Sequence, residues 1–172
     1  MLNNKFNSTR LTISIISLSL LFIFLHPFII NATDLVLKNN TPAQIYFSPK
    51  GGCTEAIVNE ISHAKSEIYV QAYSFTSAPI AKALVDAYKR GIKVEVILDK
   101  SQKKERYTSA TFLANSGIPT YIDSKHAIAH NKIMVIDKET VITGSFNFTK
   151  AAEEKNAENL LILKSKELAV EY

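Results

Sequence analysis

Short runs rich in β-branched and aromatic residues recur through the second part of the chain. Runs of this kind predict β-strands. They are IYFS (45–48), EIYVQAYSF (67–75), IKVEVILD (92–99), IPTYID (118–123) and ENLLILK (158–164). The intervals between most neighbouring runs are long enough to hold a helix.

Apolar residues at helical spacing occupy those intervals. The pattern predicts one helix that begins at Thr54 and a second that begins near Ser77 and ends at Gly91. A short helix is predicted at 110–115, and a polar helical turn at 149–156. This alternation predicts an α/β fold, with a mixed β-sheet flanked by helices on both faces.

Residues 130–147, HNKIMVIDKETVITGSFN, predict a β-hairpin. The two apolar arms are joined by a charged turn, for which Lys138 and Glu139 are the expected loop residues. Since the hydrophobic positions on both arms are continuous, the strand pair is expected to be buried on both sides. Gly144, near the end of the second arm, leaves backbone room for a ligand or a neighbouring strand.

Four polar residues lie at the open end of this hairpin. With the expected turn, Lys132 would pair with Ser145 and His130 with Asn147, so all four side chains would share one face. A neutral imidazole can attack or accept a proton, and an amine, a hydroxyl and an amide can bind an anion. Such groups on an arbitrary hairpin are usually surface residues, but their joint spacing favours a phosphodiester site.

The spacing resembles the HKD motif of the phospholipase D superfamily, which it fits without a gap. Six positions carry the match: His130, Lys132, Asp137, Gly144, Ser145 and Asn147. The resemblance extends from about Thr41 to Leu168 and is closest to the small single-motif members. These comprise secreted bacterial endonucleases and the secreted phospholipase D of obligate intracellular bacteria. Such proteins usually continue into another long helix, so a shortened C-terminal helix is expected here.

The resemblance implies roles for these residues. His130 would be the nucleophile that forms a phosphohistidine, and Lys132, Ser145 and Asn147 would bind the phosphate oxygens. No metal or other cofactor is implied, and the sequence holds no cluster of Cys, His and carboxylates at metal-ligand spacing.

Two acidic residues complete the predicted catalytic set. Asp137 belongs to the motif, although in such proteins it supports the turn more than the chemistry. Glu158, in NAEN, matches the family glutamate that orients the histidine.

The superfamily mechanism needs two histidines, one to attack phosphorus and one to protonate the leaving oxygen. A second HxK at His63 and Lys65 lacks the Asp and the Gly-Ser that should follow, and His126 is too close to His130 to act as a distant acid. We therefore expect a homodimer in which each chain contributes one His130 to a shared site.

The first 32 residues form a different kind of segment. Lys5 and Arg10 precede the apolar run LTISIISLSLLFIFL (11–25), which is the layout of a secretory signal. Cleavage after Ala32 would make the protein secreted or periplasmic, whereas extension of the run to Ile30 would make an uncleaved anchor. Residues 33–43 are then expected to be a linker, and 44–172 the single catalytic domain.

Charge leaves the substrate open. The chain has 172 residues and a net charge of +4, of which two positive charges belong to the signal segment. The remaining bias of +2 is no nucleic-acid signature, and export favours a phospholipid membrane as substrate. A basic stretch in the predicted loop at 99–109 could instead bind a nucleic-acid backbone, through Lys100, Lys103, Lys104 and Arg106. A non-catalytic binder is the third alternative.

Overall fold

Seven strands and five helices are present in the part of the chain that the computed structural model describes, residues 35–103 and 108–172. The strands are β1 (Ala43–Ser48), β2 (Glu67–Ala72), β3 (Lys93–Asp99), β4 (Thr120–Asp123), β5 (Lys132–Ile136), β6 (Thr140–Gly144) and β7 (Glu158–Lys164). The helices are α1 (Cys53–Ser62), α2 (Ala78–Lys89), α3 (Ser109–Asn115), α4 (Lys150–Glu154) and α5 (Lys166–Glu171). The predicted signal segment at 1–32, with Lys104 and Arg106, lies outside the described residues.

The strands form one mixed sheet in the order β1-β7-β6-β5-β2-β3-β4. On one side of its centre, β2, β3 and β4 are parallel, because α2 and α3 each carry the chain back before the next strand. On the other side, β5, β6, β7 and β1 are antiparallel. The two parts join where β5 pairs with β2.

Side chains alternate across these strands, so the sheet has two apolar faces. One face packs against α1, α2 and α3, and the main core lies there. The second face has a smaller core, in which Leu168 and Ala169 of α5 pack near Val135 and Val141. The predicted mixed sheet with helices on both faces is therefore confirmed.

The turn between β5 and β6 differs from the expectation. Asp137 and Lys138, not Lys138 and Glu139, have left-handed backbone angles, and the Glu139 N–H donates to the Ile136 carbonyl. Ile136 pairs with Thr140, so the register is displaced by one residue from the predicted pairing. The Asp137 carboxylate binds the chain before β2, and Asp tolerates left-handed angles better than most residues.

The sequence patterns missed a 3-10 turn that covers Lys100–Lys103 inside the predicted loop. At the C-terminal end, β7 is followed by the six-residue helix α5. The Ser165 hydroxyl accepts a hydrogen bond from the Leu168 N–H and so caps α5. Within residues 35–103 and 108–172, no helix has both the length and the apolar content needed to cross a bilayer.

Replacing Gly144 should destabilise the fold. Its φ is +139°, and a Cβ there would lie 2.4 Å from the Asn159 carbonyl oxygen. We expect Gly144→Ala to lower the free energy of unfolding by about 2–4 kcal/mol in urea titrations, because strain and steric overlap add.

Gly52→Ala is the matched control. Gly52 also has a positive φ, +80°, but a Cβ there would have no neighbour within 4 Å. Its substitution should cost only about 1 kcal/mol, the backbone part of the penalty. Equal losses for the two variants would show that the contact with Asn159 is unimportant.

Candidate active site

One end of the sheet gathers most of the predicted site. β5 begins there with Lys132, β6 ends there, and β7 begins there with Glu158. Because these strands are antiparallel neighbours, the predicted site residues that flank them lie at the same end. These are His130, Ser145 and Asn147.

Lys132 and His130 are in direct contact. The Lys132 Nζ lies 2.9 Å from His130 Nδ1 and donates to the His130 carbonyl at 2.6 Å. Lys132 is only 6% exposed, whereas His130 is exposed to solvent. The lysine is therefore buried beneath the surface, whereas the imidazole is accessible to solvent.

Tyr73 is a site residue that the sequence patterns did not identify. Its ring centroid lies 4.4 Å from that of His130, and the Lys132 Nζ is 5.1 Å from the same tyrosine ring. An ammonium over an aromatic face is stabilised electrostatically. Tyr73 follows β2 directly, and the available signal was its place near the end of the predicted strand EIYVQAYSF (67–75).

The Lys132 amine is sensitive to its surroundings. Burial lowers the pKa of this amine, and the negative charge of Glu158 opposes that effect without cancelling it. A bound phosphate would add a second negative charge and favour the ammonium form.

The contact between Lys132 and His130 also controls the imidazole proton. An ammonium can only donate, so while Lys132 is charged the Nδ1 atom of His130 is the acceptor and the neutral ring carries its proton on Nε2. Neither ring nitrogen then has a free lone pair. A free lone pair requires that Lys132 leave Nδ1, as it would by turning toward a bound anion.

Ser145 and Asn147 follow β6. The Ser145 hydroxyl accepts from the Asn159 N–H at 3.0 Å, while the N–H groups of Ser145 and Phe146 both donate to the Asn159 carbonyl. Asn147 Oδ1 is buried and has no hydrogen-bond partner among the described residues. An unpaired buried polar atom costs about 1–3 kcal/mol. Because Oδ1 can only accept a hydrogen bond, an anion would have to bind the Nδ2 donor of the same amide.

Glu158 lies at the same end of the sheet but does not bind His130 within the described chain. Its N–H donates to the Ser48 hydroxyl at 3.2 Å, and Asn156 Nδ2 donates to its carboxylate at 3.3 Å. The role of Glu158 in orienting the histidine stays a prediction.

Asp137 lies at the opposite end of β5, about 16 Å from the start of this five-residue strand. Backbone N–H groups of Lys65, Ser66 and Glu67 donate to its carboxylate at 2.7–3.2 Å. The structure therefore separates Asp137 from the other predicted catalytic residues and gives it the task of holding the turn.

The other two candidate histidines are placed differently. His63 is the C-terminal cap of α1, with Nδ1 2.8 Å from the Asn59 carbonyl, on the Asp137 side of the sheet. His126 follows β4 at the site end, and its Nδ1 lies 2.7 Å from an Asp123 carboxylate oxygen.

An open cavity of about 670 Å³ adjoins Tyr73. Its wall is mostly apolar, with Ile122, Ala127 and Ile128, and it also includes Lys100 and Lys103. No group of three His, Cys, Asp or Glu side chains in residues 35–103 and 108–172 is arranged to hold a metal ion.

Residues 57–172 match the family model described as "Cardiolipin synthase, PLD-like domain". This chain belongs to the PLD-like domain family. The predicted resemblance to the phospholipase D superfamily is thereby confirmed.

Named relatives support this assignment. The PLD-like chain is 47% identical over 126 residues to a phospholipase D of Rickettsia conorii, a match that covers 73% of this chain and 63% of the relative. It is 44% identical over 126 residues to that of Rickettsia prowazekii, with 73% and 62% covered. The chain thus spans less than two thirds of the length of these relatives.

Solved structures agree on the fold. The phospholipase D family member Nuc from Salmonella typhimurium has a TM-score of 0.73 and 42% identity, over 76% of this chain and 88% of Nuc. NucT from Helicobacter pylori has a TM-score of 0.68 and 26% identity, over 76% and 90%. The PLD-like domain therefore shares its sheet and helix arrangement with these proteins.

Removing the Asp137 carboxylate should destabilise the PLD-like domain in a pH-dependent way. Burial alone would raise the pKa of this carboxyl, but the N–H groups of Lys65, Ser66 and Glu67 outweigh burial and hold the pKa below its ordinary value. The stabilisation is complete above the unfolded pKa of about 3.9 and is lost as pH falls through the lower folded pKa. Asp137→Ala should cost about 1–3 kcal/mol at pH 7 for the lost hydrogen bonds. A pH-independent cost of about 1 kcal/mol is added, because alanine tolerates the left-handed backbone at this position less well.

Urea unfolding at pH 7 and at pH 3 tests this expectation, with Asp86→Ala as control. Asp86 forms an exposed ion pair with Lys82 on the surface of α2, so its loss should cost about 0.5 kcal/mol or less. A cost for Asp137→Ala that increased toward acid pH, or that equalled the control, would contradict the assigned role.

Proposed function

We propose that this chain is a phosphodiesterase of phospholipase D type, which hydrolyses the head-group phosphodiester of phospholipids. The observation that carries the proposal is the contact between Lys132 Nζ and His130 Nδ1, 2.9 Å, at the sheet end where Ser145 and Asn147 also lie. This arrangement offers a nucleophile beside a cationic anion-binding group. Phosphatidylcholine would give phosphatidic acid and choline.

The names of relatives support a lipid substrate. The Rickettsia proteins are called phospholipase D, and a mouse protein 31% identical over 104 residues is called mitochondrial cardiolipin hydrolase. That mouse match covers 60% of this chain and 47% of the relative.

The proposed reaction has two displacements at phosphorus. First, a ring nitrogen of His130 attacks phosphorus and the bond to the head-group oxygen breaks, while a second histidine protonates that oxygen. Water, deprotonated by the second histidine, then attacks phosphorus, and the phosphorus–nitrogen bond breaks to release phosphatidic acid and free His130. Lys132, Ser145 and Asn147 would bind the non-bridging oxygens in both steps.

The second histidine is proposed to come from a second copy of the chain. His63 lies near Asp137, at the end of the sheet opposite to His130, and His126 contacts the Asp123 carboxylate. A twofold homodimer would bring two copies of His130 to one phosphorus and two copies of Lys132 to its oxygens. Once Lys132 has moved, the imidazole proton can transfer from Nε2 to Nδ1. Glu158 would bind it there and orient the ring, which leaves Nε2 free to attack.

We further propose that the protein acts outside the cytoplasm, secreted or periplasmic.

An endonuclease is the alternative, favoured by Lys100 and Lys103 at the edge of the cavity. These lysines could bind successive phosphates of a nucleic acid. Binding through several such contacts would weaken by about 0.9 log units per contact for each tenfold rise in salt. Phospholipid binding depends partly on apolar contact and should be less sensitive to salt on zwitterionic membranes.

His130→Ala should abolish turnover, with a loss on the order of 10³-fold or more, because the nucleophile is removed. His63→Ala is the control and should retain activity, since that imidazole lies away from the site. Choline release from phosphatidylcholine vesicles measures both variants. Equal losses would contradict the assignment of the nucleophile.

Plasmid nicking, measured on the same samples across a salt series, separates the two substrates. We expect choline release that changes little between low and physiological salt. Salt-sensitive nicking without choline release would favour the endonuclease instead.

The shared site can be tested by mixing chains. Wild-type and His130→Ala chains in equal amounts, allowed to exchange partners, should show about one quarter of the activity of the same total amount of wild-type protein, because only about one quarter of the dimers then contain two wild-type chains. Independent sites would retain about one half. Analytical ultracentrifugation at assay concentration checks the dimer, and a fully active monomer would contradict the shared site.

A further inference from the structure

Ile128 is an exposed apolar residue two positions before His130. It lies on the connection between β4 and β5, residues 124–131, and its exposed fraction is 61%. Ala127 beside it is also exposed. A single exposed apolar residue is common on protein surfaces and needs support from its surroundings to be informative.

The first half of this connection is held by side chains. The Asp123 carboxylate accepts hydrogen bonds from the N–H groups of Lys125 and His126, at 2.9 Å and 3.2 Å. Lys100 Nζ donates to the His126 carbonyl at 3.2 Å. The backbone leading to Ile128 is therefore bound on both its donor and its acceptor side.

The second half is held by a buried carboxylate. Asp99, 3% exposed, accepts a hydrogen bond from the Ala129 N–H at 2.7 Å. Since Ala129 separates Ile128 from His130, this bond restricts the isoleucine and the nucleophile together. Ile128 is thus presented to solvent by a fixed backbone.

Positive charge surrounds the isoleucine. Lys100 and Lys103 line the same cavity as Ile128, and Lys125 is on the same connection; all three are exposed. The nearby carboxylates that the structure describes are already engaged, Asp99 by backbone N–H groups and Asp123 by His126. An apolar tip within a cationic rim is complementary to an anionic phospholipid surface.

We propose that Ile128, with Lys100, Lys103 and Lys125, docks the active-site end of the sheet onto an anionic bilayer. The isoleucine enters the boundary between head groups and acyl chains, and the lysines bind lipid phosphates. This inference rests on the proposed phospholipase function and specifies how that site meets its substrate. A nucleic acid would engage the lysines but would offer no apolar phase to the isoleucine.

Fluorescence can test the docking directly, because the whole sequence contains no tryptophan. In the full chain, Ile128→Trp should show blue-shifted emission with vesicles that contain phosphatidylglycerol. Lipids brominated in the acyl chains should quench it. The shift should be smaller with pure phosphatidylcholine and should decrease with salt, because the lysines contribute.

Ile45→Trp is the matched control. Ile45 is 62% exposed but lies on β1, the edge strand opposite β4. Its emission should not respond to the same vesicles. An equal response at both positions would overturn the proposal, since the membrane contact would then not be specific to the active-site end.

Kinetics separates docking from catalysis. Two activities are compared, one on phosphatidylglycerol vesicles and one on soluble bis(4-nitrophenyl) phosphate. Ile128→Ser should lower the ratio of the first to the second by about tenfold or more, because the isoleucine no longer contacts the bilayer. Ile45→Ser should leave this ratio unchanged. An unchanged ratio for Ile128→Ser, or an equal loss on both substrates, would overturn the docking role.

Two further outcomes would assign the surface to another partner. A blue shift of Ile128→Trp without vesicles that follows chain association would identify an interface between copies. A blue shift with DNA in place of vesicles would identify nucleic acid. Vesicle-dependent emission in a protein that cleaves no phospholipid would support the docking surface while contradicting the proposed function.

Discussion

The antiparallel pairing of β5 with β2 is the constraint on which the site depends. It joins a parallel unit, β2-β3-β4, to an antiparallel unit, β5-β6-β7-β1. Ala72 pairs with Lys132, and the Tyr73 N–H donates to the Asn131 carbonyl at 2.8 Å. The end of one unit is thereby aligned with the start of the other. Tyr73, His130 and Lys132 meet because this register is fixed. A slip of one residue would turn the buried side chains of either strand to the opposite face of the sheet.

The burial of Lys132 connects this pairing to chemistry. An amine at the first position of a buried strand would be unfavourable without partners, and here the His130 carbonyl, His130 Nδ1 and the Tyr73 ring surround it. The same contacts keep the imidazole nitrogen occupied. An anion that attracted Lys132 would release that nitrogen, so anion binding and the hydrogen bonding of the His130 imidazole are coupled through one side chain.

Two buried polar side chains at the C-terminal end of β3 connect the site to the surface around it. Asp99 and Gln102, both buried, bind backbone N–H groups of Ala129 and Phe75 that lie near the site in the chain. These bonds connect the basic segment after β3 to the segments that contain His130 and Tyr73. The same buried polar contacts therefore determine the shape of the surface around His130 and the position of that residue.

The sequence alone determined the α/β class, the strands and most helices, because these follow from periodicities of two and 3.6 that local residues impose. It also determined the spacing of the motif residues from His130 to Asn147. A hairpin with either turn register brings these residues to the same end of the sheet. Tertiary structure decided the turn register, since the Asp137 carboxylate binds a segment some 70 residues away. It likewise decided the place of Tyr73 beside His130 and the exposure of Ile128. Such features depend on contacts between distant segments, which a local pattern does not encode.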